Sequence, residues 1–192
     1  MVFPHYTLCV LNPGENVAFD CGDRDLNEFF CEDSAVHQAQ FLSKTYYWRD
    51  GNGTIVLMFS VCNDNIKFSG EQQRMFPERK RFSSYPAVKI ARLGVNSSLQ
   101  GRGIGAQAIV FLKSFFVTRN KTGCRYLTVD AYNNDNTLRF YQRNGFAFLR
   151  EDEKNRKTRT MYFDLLPHYN ALADAVKDAM GKSVAELVKN NL

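Results

Sequence analysis

The fold of this chain is decided by Leu93-Gly94-Val95-Asn96-Ser97-Ser98-Leu99-Gln100-Gly101-Arg102-Gly103-Ile104-Gly105-Ala106. An apolar run from Ala87 to Val95 predicts a strand, and a short polar link follows it. Gln100 to Gly105 is then a glycine-rich turn opening a helix. Alternating glycines leave backbone N–H groups unshielded by side chains. At a helix start those donors have no intrahelical acceptor, and the dipole there is positive. The turn therefore reads as a socket for a phosphate or pyrophosphate. Taken alone, the same glycines would also suit a connector that lets a helix pack closely.

Downstream, Ile104, Ala108, Ile109, Leu112, Phe115 and Phe116 predict one apolar helix face reaching about Thr118. Lys121-Thr122-Gly123 ends this helix. Tyr126 to Val129 reads as a buried strand, parallel to the strand before the glycine turn because a helix crossover joins them. Asn133-Asn134-Asp135 caps a helix over Asn136 to Arg143, which Asn144-Gly145 stops. Phe146 to Leu149 and Thr160 to Phe163 are closing strands around the charged turn Glu151 to Lys157.

Upstream, Tyr6 to Leu11 is a first strand, ended by Asn12-Pro13-Gly14. Asp23 or Asp25 caps one or two helices running to about Leu42, with Asp33-Ser34 as the dividing point. Thr45 to Arg49 and Thr54 to Cys62 flank Asp50-Gly51-Asn52-Gly53, a hairpin signal. Asn63 to Tyr85 is a polar, basic insertion with one helical turn expected, long enough to suggest a functional loop.

The expected division is a domain over 1–166 and a helical extension over 167–192. In the extension, Tyr169, Leu172, Val176 and Met180 form a stripe, Gly181 breaks it, and Ser183-x-x-Glu186 is a capping box. This tail can pack on its own domain or on a second subunit, as in a homodimer; its own domain is the reading adopted.

With 44% hydrophobic residues, 16 Phe and 9 Tyr among its 192, the chain can build a substantial core. No run approaches the ~20 apolar residues of a membrane span. No signal peptide is expected from Met1-Val2-Phe3-Pro4-His5. The five cysteines are scattered without a C-x-x-C pair, so reduced thiols and a cytoplasmic location are expected. His5, His37 and His168 are isolated, so no metal site is expected. The net charge of +5 is concentrated in Arg74, Arg79, Lys80, Arg81, Lys89 and Arg92, and in Lys154, Arg156, Lys157 and Arg159. Such clusters attract anions, nucleotides or RNA, or simply form solvated faces.

The order of elements is strand, helices, hairpin, strand, helix, strand, helix, two strands. Gly101-x-Gly103-x-x-Ala106, with Asp130 further on, also satisfies a dinucleotide fingerprint. A Rossmann fold needs several successive βαβ units, and this order contains one. No Lys-Ser/Thr follows the glycines and no G-x-S-x-G occurs, which removes P-loop and nucleophile-elbow chemistry.

Gln100-x-x-Gly103-x-Gly105 after a strand resembles the Q/R-x-x-G-x-G/A motif of the GNAT N-acetyltransferase superfamily. Asn133…Asn136…Phe140-Tyr141-x-x-x-Gly145-Phe146 resembles that family's next strand–helix segment. The resemblance covers about residues 6 to 163. It implies a mixed α/β (α+β) fold: a central, mostly antiparallel twisted sheet with one parallel, splayed strand pair and helices on both faces. It implies acetyl-CoA as co-substrate, with its pyrophosphate on Gln100, Gly101, Arg102, Gly103, Ile104 and Gly105. Its pantetheine arm would lie along Leu93, Gly94 and Val95, with Asn133 or Asn136 bonding the arm or capping the helix.

The resemblance also makes Tyr141 the general acid for the departing CoA thiolate. A thiol titrates near ~8.5 and a tyrosine near ~10, so a poised neutral tyrosine can donate. The family's glutamate base on the strand before the motif is absent; Lys89-Ile90-Ala91-Arg92 stands there. An α-amine, with pKa ~7.7–8.0 against ~10.4 for lysine, needs less help.

The expected function is an acetyl-CoA-dependent N-acetyltransferase in which a primary amine attacks the thioester directly. Phe19-Asp20-Cys21-Gly22…Leu26-Asn27-Glu28-Phe29 and Arg92-Leu93-Gly94-Val95 also resemble the branch of toxins that acetylate the α-amine of aminoacyl-tRNA. There Arg79, Lys80, Arg81, Lys89 and Arg92 would face tRNA phosphates, with Lys89 and Arg92 the candidate substrate residues. A small-molecule amine is the other acceptor class, and a non-catalytic acyl-CoA-binding module the other function class.

Overall fold

A computed structural model describes residues 6–118, 120 and 122–175. Among these described residues seven strands form one sheet in the order β1-β2-β3-β4-β5-β7-β6. They are β1 (Thr7–Val10), β2 (Lys44–Arg49), β3 (Ile55–Ile66), β4 (Tyr85–Val95), β5 (Tyr126–Tyr132), β6 (Ala147–Phe148) and β7 (Thr158–Asp164). Every pairing is antiparallel except β4 with β5, which is parallel, as the single crossover requires. The helices are α1 (Arg24–Glu28), α2 (Ser34–Ala39), α3 (Gly70–Gln73), α4 (Ile104–Val117) and α5 (Asp135–Arg143), and the chain is helical again from 165 to 175.

Side-chain alternation sends each strand's residues to two cores. Leu57, Phe59 and Val61 of β3 join Ile109 and Leu112 of α4 and Tyr141 of α5 in one cluster. Met58 of β3 and Tyr47 of β2 join Phe29 and Phe30 in another, on the α1 side. The sheet is thus covered on both faces. A third cluster, Ile66, Phe68, Phe76, Tyr85 and Tyr126, seals one end of β4 and β5.

Several expectations are corrected. The hairpin's second strand runs four residues beyond Cys62, because Asn63, Asp64 and Asn65 pair with Val88, Ala87 and Pro86 despite their turn-like composition. The insertion is therefore shorter than its composition suggests. It carries α3 and a 3-10 turn over Glu78–Lys80, and buries Phe68 and Phe76. Asp33-Ser34 marks a change from π- to α-helical bonding over Phe29–Asp33 and Ser34–Ala39. On α4, Val117 is buried and Phe115 lies at the margin beside Tyr46. The helix placed after Pro167 begins at 165, and Leu172 packs on the main core. The readings on Val176, Met180, Gly181, Ser183 and Glu186 lie outside the described residues. Among the described residues no helix is long and apolar enough to cross a membrane.

The α1–α2 layer is locked to the sheet by one buried amide. Gln38 Nε2 donates to the Leu11 carbonyl and its Oε1 accepts from Thr45 N–H at 3.0 Å. Replacing Gln38 by Leu strands both backbone groups, each costing about 1–3 kcal/mol when buried and unmet. We expect Gln38→Leu to melt roughly 4–24 °C below wild type, measured by thermal denaturation followed by circular dichroism.

Candidate active site

The parallel pair joins β4 to β5 only over Ala87–Lys89 and Tyr126–Thr128. Beyond those residues β4 runs on to Val95 and β5 to Tyr132 without pairing to each other, and a gap opens in the sheet. A β-bulge sets what faces that gap. Ser60 of β3 opposes Arg92 and Val61 opposes Ile90, so Ala91 is the extra residue. An extra residue inverts the alternation after it. Ile90 and Leu93 therefore face the α4–α5 core, while Lys89 and Arg92 face the α1 side.

Two cavities occupy the gap and meet at Leu93 and Tyr141. The first, about 380 Å³, runs from Gln100 and Gly105 past Gly94 and Val95, and is walled by Asn136, Thr137 and Phe140 of α5. The second, about 460 Å³, is lined by Lys89 to Leu93, Val129 to Tyr132, Asp23 and Asp25, and Lys157.

The glycine turn stands at the far end of the first cavity. Gly101 and Gly103 have φ of +76° and +77°, a region in which side chains are strained, and a Cβ at either would meet open space. Gly103 is the N-cap of α4, and no side chain caps that helix. Its first-turn amides thus remain available to an anion. The neighbours differ: Asp23 Oδ1 accepts from Leu26 N–H at 3.1 Å on α1, and Asn134 Oδ1 from Thr137 N–H at 2.9 Å on α5. The exposed Arg102 lies beside the turn. These features fit the pyrophosphate of CoA. Gly105 serves packing, since a Cβ there would meet the Phe140 ring at 3.3 Å.

Other residues proposed for the cofactor have structural work as well. Gln100 Nε2 donates to the Cys21 and Val95 carbonyls at 2.7 and 3.2 Å, bracing the turn against the segment before α1. Ile104 is buried in the main core. Leu93 and Val95 pack against that core and line the first cavity, and Gly94 lies under Phe19 and Cys21. Asn136 lines the cavity, but Asn133 does not: its amide donates to the Lys154 and Arg156 carbonyls at 2.7 and 2.8 Å.

Tyr141 is 6% exposed, lies between the Phe140 and Phe146 rings, and makes no hydrogen bond within the described residues. Burial pushes its phenol well above the ordinary tyrosine range, so the hydroxyl stays protonated and available as a donor. Cys21 also lines the first cavity, yet burial pushes its thiol up, and it is bonded to Asn27 Oδ1 at 3.2 Å. It is a poor nucleophile there.

On the second cavity, Lys89 is not a free cation. Its ammonium lies 2.9 Å from Asp130 and 3.6 Å from Asp64. Arg92 stacks on Phe29 at 5.0 Å, donates to the Ala91 carbonyl, and keeps its Nε buried without a partner among the described residues. Arg79 and Arg81 of the insertion do not line either cavity. Asp25, Asp130 and Tyr132 do line the second, and none was singled out as a site residue from sequence. Tyr132 lies beyond the expected strand end, and Asp25 read only as a helix cap.

Residues 66–146 match the model of the acetyltransferase (GNAT) family. Among solved structures, AtaT complexed with acetyl-methionyl-tRNAfMet superposes with a TM-score of 0.68 at 21% identity, over 83% of this chain and 94% of that one. A tyrosine-to-phenylalanine mutant of the AtaT toxin, bound to acetyl-CoA and the C-terminus of the antitoxin AtaR, gives 0.66 at 20% identity, over 87% and 97%. A mutant of KacT gives 0.71 at 20% identity, over 88% and 99%. At these identities the solved structures speak for the fold, whereas the family match over 66–146 contains the strand, glycine turn and helices that frame the gap, and it is this part of the chain that is similar to the GNAT acetyltransferases.

Proposed function

We propose that this enzyme transfers the acetyl group of acetyl-CoA to the α-amine of an aminoacyl group carried on tRNA. The observation that carries the reading is the split sheet. The uncapped start of α4 opens into one cavity, a polar cavity lies beyond it, and Tyr141 stands where they meet. Acetyl-CoA supplies an activated thioester carbonyl at that junction. The amine nitrogen attacks the carbonyl carbon, the C–N bond forms, the C–S bond breaks, and the sulfur takes the Tyr141 proton. On this reading a backbone N–H near Leu93 holds the carbonyl oxygen as charge develops there.

Two features favour an α-amine. No carboxylate replaces the missing strand glutamate at Lys89 to Arg92. AtaT, one of the proteins of similar fold, was solved with acetyl-methionyl-tRNA. Arg92 and Lys157 at the rim of the second cavity suit the phosphates of an acceptor end. Incubating the enzyme with acetyl-CoA and methionyl-tRNA should give N-acetyl-methionyl-tRNA, detected by mass spectrometry after nuclease digestion, and expression should arrest growth. Acetylation of free lysine or a polyamine with charged tRNA untouched would instead assign a small-molecule acceptor.

Tyr141→Phe should lower kcat by about 10²-fold while acetyl-CoA affinity stays within about twofold, checked by steady-state kinetics and calorimetry. The pH dependence follows from the two titrations. The free amine grows as pH rises through ~7.7–8.0, whereas Tyr141 keeps its proton throughout. The rate should therefore climb to a plateau above about pH 8 with no alkaline fall from Tyr141 below about pH 10, read from kcat/KM for the acceptor.

A further inference from the structure

The reaction releases a proton from the attacking nitrogen, and the strand position usual for a base holds none. We propose that Tyr132 and Asp25 form the proton exit of the acceptor amine. The Tyr132 hydroxyl donates to Asp25 Oδ2 at 2.8 Å, and both residues line the second cavity together with Tyr141 and Leu93. This inference rests on direct acetyl transfer to an amine, whichever amine that is.

Placement supports it. On β5, Leu127, Val129 and Ala131 face the α4–α5 core, so Thr128, Asp130 and Tyr132 face the α1 side. Tyr141 belongs to the opposite face. The gap between β4 and β5 lets two tyrosines from opposite faces of one sheet reach one cavity. Among the described residues Tyr141 has no hydrogen-bond partner, so its proton is free to give. Tyr132 has spent its proton on a carboxylate, so its oxygen lone pair is what it offers to an arriving N–H.

Other charged groups face Tyr132: Asp23 before α1, Lys89 and Arg92 of β4, Asp130 of β5, and Lys157 between β6 and β7. Most already have assignments. Asp23 caps α1, and Asp130 holds Lys89 and the Thr160 hydroxyl. Among the described residues the Asp25 carboxylate has the Tyr132 hydroxyl as its one hydrogen-bond partner, and Asp25 is exposed to solvent.

The step balances as follows. Once the C–N bond forms, the nitrogen bears a positive charge and is far more acidic than the starting ammonium. Its proton passes to Tyr132 Oη while the Tyr132 proton passes to Asp25. Asp25 then releases that proton to water, and Tyr132 returns neutral. The sulfur is protonated separately by Tyr141, whose phenolate takes back a proton from water before the next turnover. Burial and the neighbouring Asp25 carboxylate push Tyr132 up to about 12, so it serves as a neutral relay and does not rest as phenolate.

The test uses the full chain with acetyl-CoA and two acceptors, methionyl-tRNA and methionine amide, across about pH 6 to 9. Tyr132→Phe and Asp25→Asn should each lower kcat about tenfold or more, with the double variant no worse than either and KM for acetyl-CoA within about twofold. The loss should shrink as pH rises, because hydroxide takes over the proton, and Asp25→Glu should restore part of the rate. Melting temperature and acetyl-CoA binding confirm that each variant is folded. A kcat within about twofold of wild type at every pH overturns the proposal. So does a pH-independent loss confined to the acceptor KM, which would make the pair a binding element. A wild type that acetylates methionine amide but not methionyl-tRNA overturns the tRNA reading alone, and the amide then decides the relay. A wild type inert toward both overturns both.

Discussion

The site depends on one residue too many in β4. Ala91 has no opposite number on β3, and the bulge it makes reverses which side chains face which way. Without it, Leu93 would share a face with Lys89 and would leave the α4–α5 core against which it packs. With it, Ile90 and Leu93 stay on the α4–α5 core while Lys89 and Arg92 serve the other face. The bulge also coincides with the end of β4–β5 pairing, so the strand turns away from its parallel neighbour where a substrate has to pass. The aromatic cluster of Phe68, Phe76, Tyr85 and Tyr126 closes the still-paired end of these strands. The opening is thereby confined to one end of the split.

Charge is arranged on the same plan. Lys89 between Asp64 and Asp130, with Thr128 donating to Asp64 at 2.6 Å and Thr160 to Asp130 at 3.0 Å, forms a polar ladder across β3, β4, β5 and β7. Desolvation alone would lower the Lys89 pKa, and its two carboxylate partners reverse that, so the ammonium is retained. Holding an ammonium between two carboxylates leaves little positive charge to attract phosphate. Among the basic residues that line this cavity, Arg92 and Lys157 have no carboxylate partner in the described residues, and they are the ones left to attract an anion.

Much of this was legible in the sequence, where local chemistry and tertiary demand agree. The glycine turn, the Asp50-to-Gly53 hairpin, the Asn134 cap and the Tyr141 helix each follow from a residue's own backbone or hydrogen-bonding needs. What escaped was set by partners distant in sequence. Asn63 to Asn65 became strand because β4 lay beside them. The basic look of Lys89 gave no sign of Asp64 and Asp130. Asn133 resembled a groove residue until the loop at Lys154 and Arg156 claimed its amide. Tyr132 and Asp25 are 107 positions apart, and no local pattern joins them.

The helix starts carry the last step. An N-terminus leaves backbone donors unmet, and a protein ordinarily meets them with a side chain. Asp23 does so for α1 and Asn134 for α5, on either side of the gap. Alone of the three, α4 begins at a glycine with no side chain to offer. A capping residue there would satisfy the helix and occupy the anion seat together. A glycine in place of a Ser, Thr, Asn or Asp cap costs roughly a few tenths of a kcal/mol of helix stability, a small cost beside the burial of Ile104, Ala108, Ile109, Leu112, Phe116 and Val117 by the 14-residue α4. The same apolar face that anchors α4 to the sheet therefore lets its first turn go without a side-chain cap, so that core packing and an open anion seat are two consequences of one helix.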